Sequence, residues 1–390
     1  MSDADRMGLS YQEETTFGVD PGSPTLIDLR MTSESLAQVT GTVNSAEIRS
    51  DRQIVDHIRT TINVAGDINI ELSYSAFDDF FEAGLLSPDW TNSGNDITLT
   101  ATDIAAVNSD NSITSVASAF GVFTVNRWIK ITGFTGTTAN NGFARIATAT
   151  AAKLTLTGRT FVDDAAGESV TITEGPAIVN GTEQRSFFFQ KEYTDLTNIF
   201  ARYSGCMIDT LTLTVPSDNI VTGLFGILGK IEVSSAVDFD ATKDAAPANE
   251  VMAGIEDITS IMEPNSANSG FASTQFSITL ANNLRQRLQI GTLGPISVGS
   301  GTVDVTGTLQ AYFDSQTIID KHLNFTDSSL AIQFADSTGK GYVIDLPRVN
   351  YDSANRVASG QNTDILADLT FSAFRNSTQD ETIVIQRFTA

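Results

Sequence analysis

The sequence predicts a mainly β protein: two tandem β-domains, each with a short flanking α-helix, and a small all-β domain inserted into the first. Three observations carry this. Charged residues are only 18% of the 390-residue chain, so Thr, Ser and Asn must cover much of the surface, as β-sheet proteins allow. Apolar residues alternate with period two in many short segments. The same order of elements occurs twice along the chain.

Residues 1–25 read as an extended N-terminal arm, with a loop signal at Gly18–Pro24. Residues 26–90 open the first β-domain. Ile62, Val64, Ile68, Ile70 and Leu72 alternate with polar residues, and Gly66 predicts a bulge or sharp bend. A short helix follows over 75–85, where Phe77, Phe80, Phe81 and Leu85 form one apolar stripe. Residues 91–175 change character: they are rich in Thr, Ala and Asn, with strands predicted at 97–101, 112–116, 128–131, 143–147, 153–156 and 169–173. This stretch has seven acidic and five basic residues, so it holds only −2 of the net −24. It reads as a small all-β domain inserted between two elements of a larger one. The first domain resumes over 176–233. Residues 234–272 form an acidic, irregular linker, and a loop that long inside a compact unit is usually functional or disordered. The second β-domain occupies 273–390.

The halves can be aligned. Ile62–Leu72 lies on Val303–Phe313 with Gly66 on Gly307. A helix follows in each, over 315–323 in the second, then Phe187–Gln190 against Leu330–Phe334, Met207–Val215 against Tyr342–Val349, and Asn219–Leu228 against Asp364–Phe374. That order points to duplication, and duplicated β units in one chain suit a ring in which neighbouring domains pair laterally.

Chemistry is sparse. Lys plus Arg number 23 against 47 Asp plus Glu, which lacks the basic footprint of a nucleic-acid binder; a high net charge also keeps a protein soluble. The one cysteine, Cys206, excludes an intrachain disulfide and fits a reducing compartment. The first ten residues lack the apolar core of a signal peptide, and no stretch approaches the length of a membrane helix. His57, in a charged predicted loop, and His322, at a helix end, have no nucleophile elbow nearby. Gly223–Lys230 fails the phosphate-loop spacing, since Leu224 stands where the first glycine must be and Ile231 follows the lysine; its glycines read as strand bends. No calcium loop appears, and adjacent acids such as Asp78–Asp79 are expected in so acidic a chain. No catalytic, metal or cofactor site is expected.

The segment Ser33–Leu36 through Asn44–Gln53, the strands around Gly66 and the run Gly341–Val349 together resemble the tail tube proteins of long-tailed, non-contractile bacteriophages. The resemblance covers most of the chain outside 91–175, and that segment looks like the small β-modules inserted in virion proteins, which implies a place on the outer surface that its near-neutral charge fits. It implies β-sandwich or barrel domains whose inner sheets line a channel, and a structural virion protein made in the host cytoplasm. Rings would stack into a tube through which DNA passes without specific binding. It further implies self-assembly, with three duplicated chains per ring, and contact with tape-measure, terminator and tip proteins. Asp67, Glu71, Asp304 and Gln310, with Asn69 and Thr306, occupy the polar phase and are candidates to face the channel. Glu47, Arg49, Asp51, Arg52, Asp56 and Arg59 are candidates for contacts between rings or subunits, with the acidic 234–272 stretch as an opposing surface. The alternative is a β-rich surface or adhesion protein that stacks sugars on Trp90, Trp128 or Phe187–Phe189. A β-fold hydrolase is a third reading, without a catalytic constellation to support it.

Overall fold

The computed structural model describes residues 3–90, 97–117, 119–267, 270, 272–357 and 360–390. It is mainly β, with two α-helices, α1 (Asp78–Leu85) and α2 (Thr317–Leu323), among those residues.

Strand Phe200–Pro216 organises the first half. Its opening segment pairs with Phe187–Tyr193 on one side and Ile231–Ser235 on the other. Its closing segment pairs with Thr222–Gly229, which in turn pairs with His57–Glu71. The change of partners falls between Ser204 and Met207, and the register shifts again between Ile208 and Thr210, a bulge inside the second pairing. Met7–Glu13 and Ala37–Asn44 complete the two sheets, beside Phe187–Tyr193 and His57–Glu71 respectively.

The second half follows the same plan around Gly341–Val357. That strand pairs first with Ser328–Phe334 and Val384–Phe388, then with Leu366–Ala373, in a pairing whose register shifts between Tyr351 and Ser353. Leu366–Ala373 pairs with Asp304–Tyr312, while Ile258–Met262 and Ser273–Ala281 stand where Met7–Glu13 and Ala37–Asn44 stand in the first half. The halves meet edge to edge, Thr210 opposite Ala281 and Pro216 opposite Gln275. The result is one antiparallel sheet of eight strands, from Ala37–Asn44 at one edge to the end of Gly341–Val357 at the other.

The body's main core lies behind this sheet. On α1, Phe80 stacks on Phe187 at 5.1 Å between ring centres and leans on Phe225 at 5.2 Å; each such buried ring contributes about 2–3 kcal/mol. The Tyr342 hydroxyl donates to Asp78 Oδ1 (2.6 Å), and Arg387 donates to Asp78 Oδ2 (2.5 Å). These bonds tie α1 to the second half.

Residues 97–174 form a separate seven-stranded sheet with a core of its own. It includes a strand the sequence reading missed, Ile104–Val107, too short to show a period. This sheet does not stand free of the body. Trp128 and Phe143 are buried against Met262, Ala331, Val343 and Phe388. Trp128 Nε1 donates to Asp345 Oδ2 (3.2 Å), and Arg127 pairs with Glu381 (2.5 Å).

Several expectations need correction. The N-terminal segment is extended but integrated, since Met7–Glu13 is a sheet strand. The 234–272 segment includes strand Ile258–Met262, part of the second half. Gly66 makes no bulge: pairing with 222–229 runs through it in register. It is needed because its φ is +152° and a Cβ there would collide with the Ser35 carbonyl. Gly223, Gly226 and Gly229 lie within a regular strand, not at bends. His57 begins a strand instead of lying in a loop. Helix α1 begins at Asp78 and α2 at Thr317, both later than the apolar spacing implied.

Candidate functional site

One face of the eight-stranded sheet covers the core and the other is open. The period of two decides which residue goes where. In His57–Glu71, Ile62, Val64, Ile68 and Ile70 are buried while Asp67 is exposed. Asn69 and Glu71 share the phase of Asp67. In Asp304–Tyr312, Val305 and Leu309 are buried while Asp304 and Thr306 are exposed and Gln310 shares their phase. The sequence candidates Asp67, Glu71, Asp304 and Gln310 therefore lie on one continuous surface, although 237 positions separate Asp67 from Asp304.

That surface is built largely of hydroxyls and amides that bond across strands. Thr212 bonds to Thr279 (3.0 Å) over the junction of the halves, and Ser353 bonds to Thr370 (2.7 Å). Gln310 Nε2 donates to Asp368 Oδ1 (2.7 Å), and Gln310 Oε1 accepts from Thr274 (2.8 Å). Ser372 donates to Asp352 Oδ2 (2.6 Å). The acids on this face are Asp67, Glu71, Asp304, Asp352 and Asp368. Over the paired segments 61–71, 210–216, 222–229, 275–281, 304–312, 353–357 and 366–372, that face carries no Lys or Arg among the described residues. Asp352 and Asp368 escaped the sequence reading because it did not extend the alternation to the last two strands.

Among the described residues the sheet ends in two unpaired edges. Val39, Val43 and Val357 are 49%, 58% and 63% exposed there, and open edges of this kind template pairing with another chain. Between the first two strands lies the connection 45–56, which holds Glu47, Arg49, Asp51, Arg52 and Asp56, with Arg59 just beyond. All six are exposed. Arg49 pairs with Asp51 (2.8 Å) inside the same turn, and this bond holds the Asp51 carboxyl below its ordinary range. The loop also exposes Ile48, Ile54 and Val55, an apolar content that the charge-centred reading of these residues passed over.

The aromatic candidates for sugar stacking are unavailable. Trp90, Trp128 and Phe187–Phe189 are all buried, none more than 3% exposed, so the structure contradicts that role. No group of three metal-ligating side chains converges among the described residues, and no described helix is long and apolar enough to cross a membrane.

Comparison with known proteins gives one result. The family model described as phage tail tube protein matches residues 4–373, a span that includes the first half, the inserted sheet and the second half as far as its strand Leu366–Ala373. No curated protein matches.

Proposed function

The chain belongs to the phage tail tube protein family, a structural component of the phage tail, and from that premise we propose that copies of it close into rings which stack into the tail tube, with the open sheet face as the channel wall. The observation that carries this is the single-signed, hydroxyl-rich face of the eight-stranded sheet. Duplex DNA carries about one negative charge per 1.7 Å of axis. A wall of Thr, Ser and Asn with scattered carboxylates holds water and repels phosphate, so DNA slides past without being held.

Two further observations support a ring. The equivalent pairing schemes of the halves support reading each chain as a tandem pair of tube domains, in which the step from first half to second is the step that repeats. A heterologous contact repeated this way closes if the rotation per step divides a full turn; with three chains, six similar sheets surround the channel. The sheet's two edges have complementary positions for that contact. The inserted sheet, docked through Trp128 on the side of the main core, lies on the outside of such a ring. The charged 45–56 connection makes contacts between copies. Tape-measure, terminator and tip proteins are the partners such a tube requires, and unpaired, buried Cys206 fits synthesis in the host cytoplasm.

Negative-stain microscopy of the purified protein over a range of concentrations tests the reading. Hollow rings or tubes are expected; particles that stay monomeric at every concentration would refute it.

A further inference from the structure

We propose that the 45–56 connection of one copy lies laterally across the second half of the next copy in the same ring, over Phe325 and Phe374, with Asp352 capping its base. The inference rests on the ring reading above and names the surface that reading leaves open.

The chain contains its own template. In the second half, the connection between the first two sheet strands is the hairpin Arg285–Arg287/Ser297–Gly299, and it folds over the first half. The position of a Cβ on Gly294 lies 3.4 Å from both the Ile62 side chain and the Lys230 carbonyl. With its amide oxygen and nitrogen exchanged, the orientation its surroundings require, Gln184 donates to Val298 O (3.2 Å) and accepts from Ser300 N (3.1 Å). At the hairpin's base, Asp209 in the strand bulge accepts from Leu284 N (2.8 Å) through its side chain and from Asn282 N (2.8 Å) through its carbonyl.

The registers translate each part. Placing Gly66 on Gly307 puts Ile227 on Phe371 and Ile208 on Tyr351, so the bulged residue Asp209 falls on Asp352. Lys230 falls on Phe374 by the same count. Phe187 opposite Cys206 falls on Ser328 opposite Val349, which puts Gln184 on Phe325. The residues covered by the hairpin in the first half thus correspond to Phe374 and Phe325 in the second, where they are 42% and 70% exposed. They lie on one patch: the Arg348 carbonyl accepts from Phe374 N (2.9 Å), and its guanidinium holds Asp327 (2.8 Å) two residues from Phe325. Close beneath, the buried Asn350 Oδ1 has no hydrogen-bond partner.

The equivalent connection in the first half has no neighbouring half within the chain to cover. It instead presents Ile48 at 98% and Ile54 at 66% exposure. Two exposed phenylalanines opposite an exposed apolar loop, related as hairpin and receptor already are inside the molecule, make a second copy of this chain the occupant. The same count sets Ser353 of one copy opposite Val39 of the next, as Thr210 stands opposite Ala281, and aims Thr42 N at Asp352.

The test uses the full chain carrying Ile54→Cys and Phe374→Cys, assembled and treated with a short bismaleimide; buried Cys206 keeps the unmodified protein silent. The result expected is a covalent ladder that stops at the number of chains in one ring, whatever the tube length. A ladder that runs on past one ring makes the contact axial and overturns the proposal, as do assembled tubes with no cross-links. If the double variant does not assemble, the single Phe374→Cys variant decides: its maleimide labelling is expected to fall about ten-fold or more on assembly, while Val116→Cys, at a position 90% exposed on the inserted sheet, is unchanged. Equal labelling of Phe374→Cys before and after assembly refutes the contact. Failure of the unmodified protein to form rings is seen before any cysteine is introduced, and it removes the ring reading itself.

Discussion

Glu82, near the end of α1, shows what burial does to one carboxylate. Its Oε1 accepts from Trp90 N (2.8 Å), and its Oε2 lies 3.8 Å from Arg185. Burial pushes its pKa up to about 7, against the pull of the Trp90 hydrogen bond and the Arg185 charge. An acid with a raised folded-state pKa holds a proton that the unfolded chain has released. The stability it contributes is full below the unfolded value of 4.5 and is lost as pH rises through about 7. Glu82→Gln keeps an oxygen for Trp90 N, so stability between pH 5 and 8 should become flatter by about 1–2 kcal/mol, measured by urea unfolding at several pH values. Parallel curves for the two proteins would contradict this. Asp345 is a second case. It is buried and accepts from Asn265 (2.6 Å), Trp128 (3.2 Å) and Arg145 (3.4 Å). Asp345→Ala strands the Arg145 charge and should cost about 3–5 kcal/mol, with faster hydrogen exchange in 97–174; Asp345→Asn should cost less. Neither role was legible in the sequence, because both depend on partners far away in the chain. Burial of Phe187–Phe189 was legible, since consecutive aromatics in a strand occupy both faces and need a covered centre.

At the scale of elements, the paired glycines are the clearest link from sequence to structure. Gly66 and Gly307 were aligned by pattern, and each sits on a middle strand of its half where another backbone comes close. A Cβ at Gly307 would meet the Phe371 ring and the Ser277 carbonyl, just as one at Gly66 would meet Ser35. Gly66→Ala and Gly307→Ala should each lower stability by about 1–3 kcal/mol, with Gly66→Ala the more severe because of its positive φ; thermal unfolding measures both. Strand positions were readable wherever one face is buried, because alternation then records the burial. The short strand Ile104–Val107 and the extra pairing of 258–262 left no such record. Helix starts were misplaced by two or three residues, as neither helix has a side-chain N-cap bond to mark its beginning.

At the scale of the whole molecule, the account turns on the sign of one surface. The charge of −24 could not say which face is acidic; the structure places five carboxylates on the open face of the sheet and, over its paired segments, no cation among the described residues. Replacing Asp67, Asp304 and Asp368 together by Lys should leave folding intact, since Asp67, Asp304 and Asp368 are exposed. It should also turn assembled tubes from non-binders into retainers of duplex DNA, with an affinity that falls steeply as salt rises. Filter binding at two ionic strengths reads this, and equal, negligible retention by both proteins would count against the wall. The most direct measurement is a cryo-EM reconstruction of assembled tubes at side-chain resolution. The result expected is a channel lined by the eight-stranded sheet of each chain, with Asp67, Glu71, Asp304 and Asp368 pointing into it; a channel lined by another surface, or by lysine and arginine, would contradict the account.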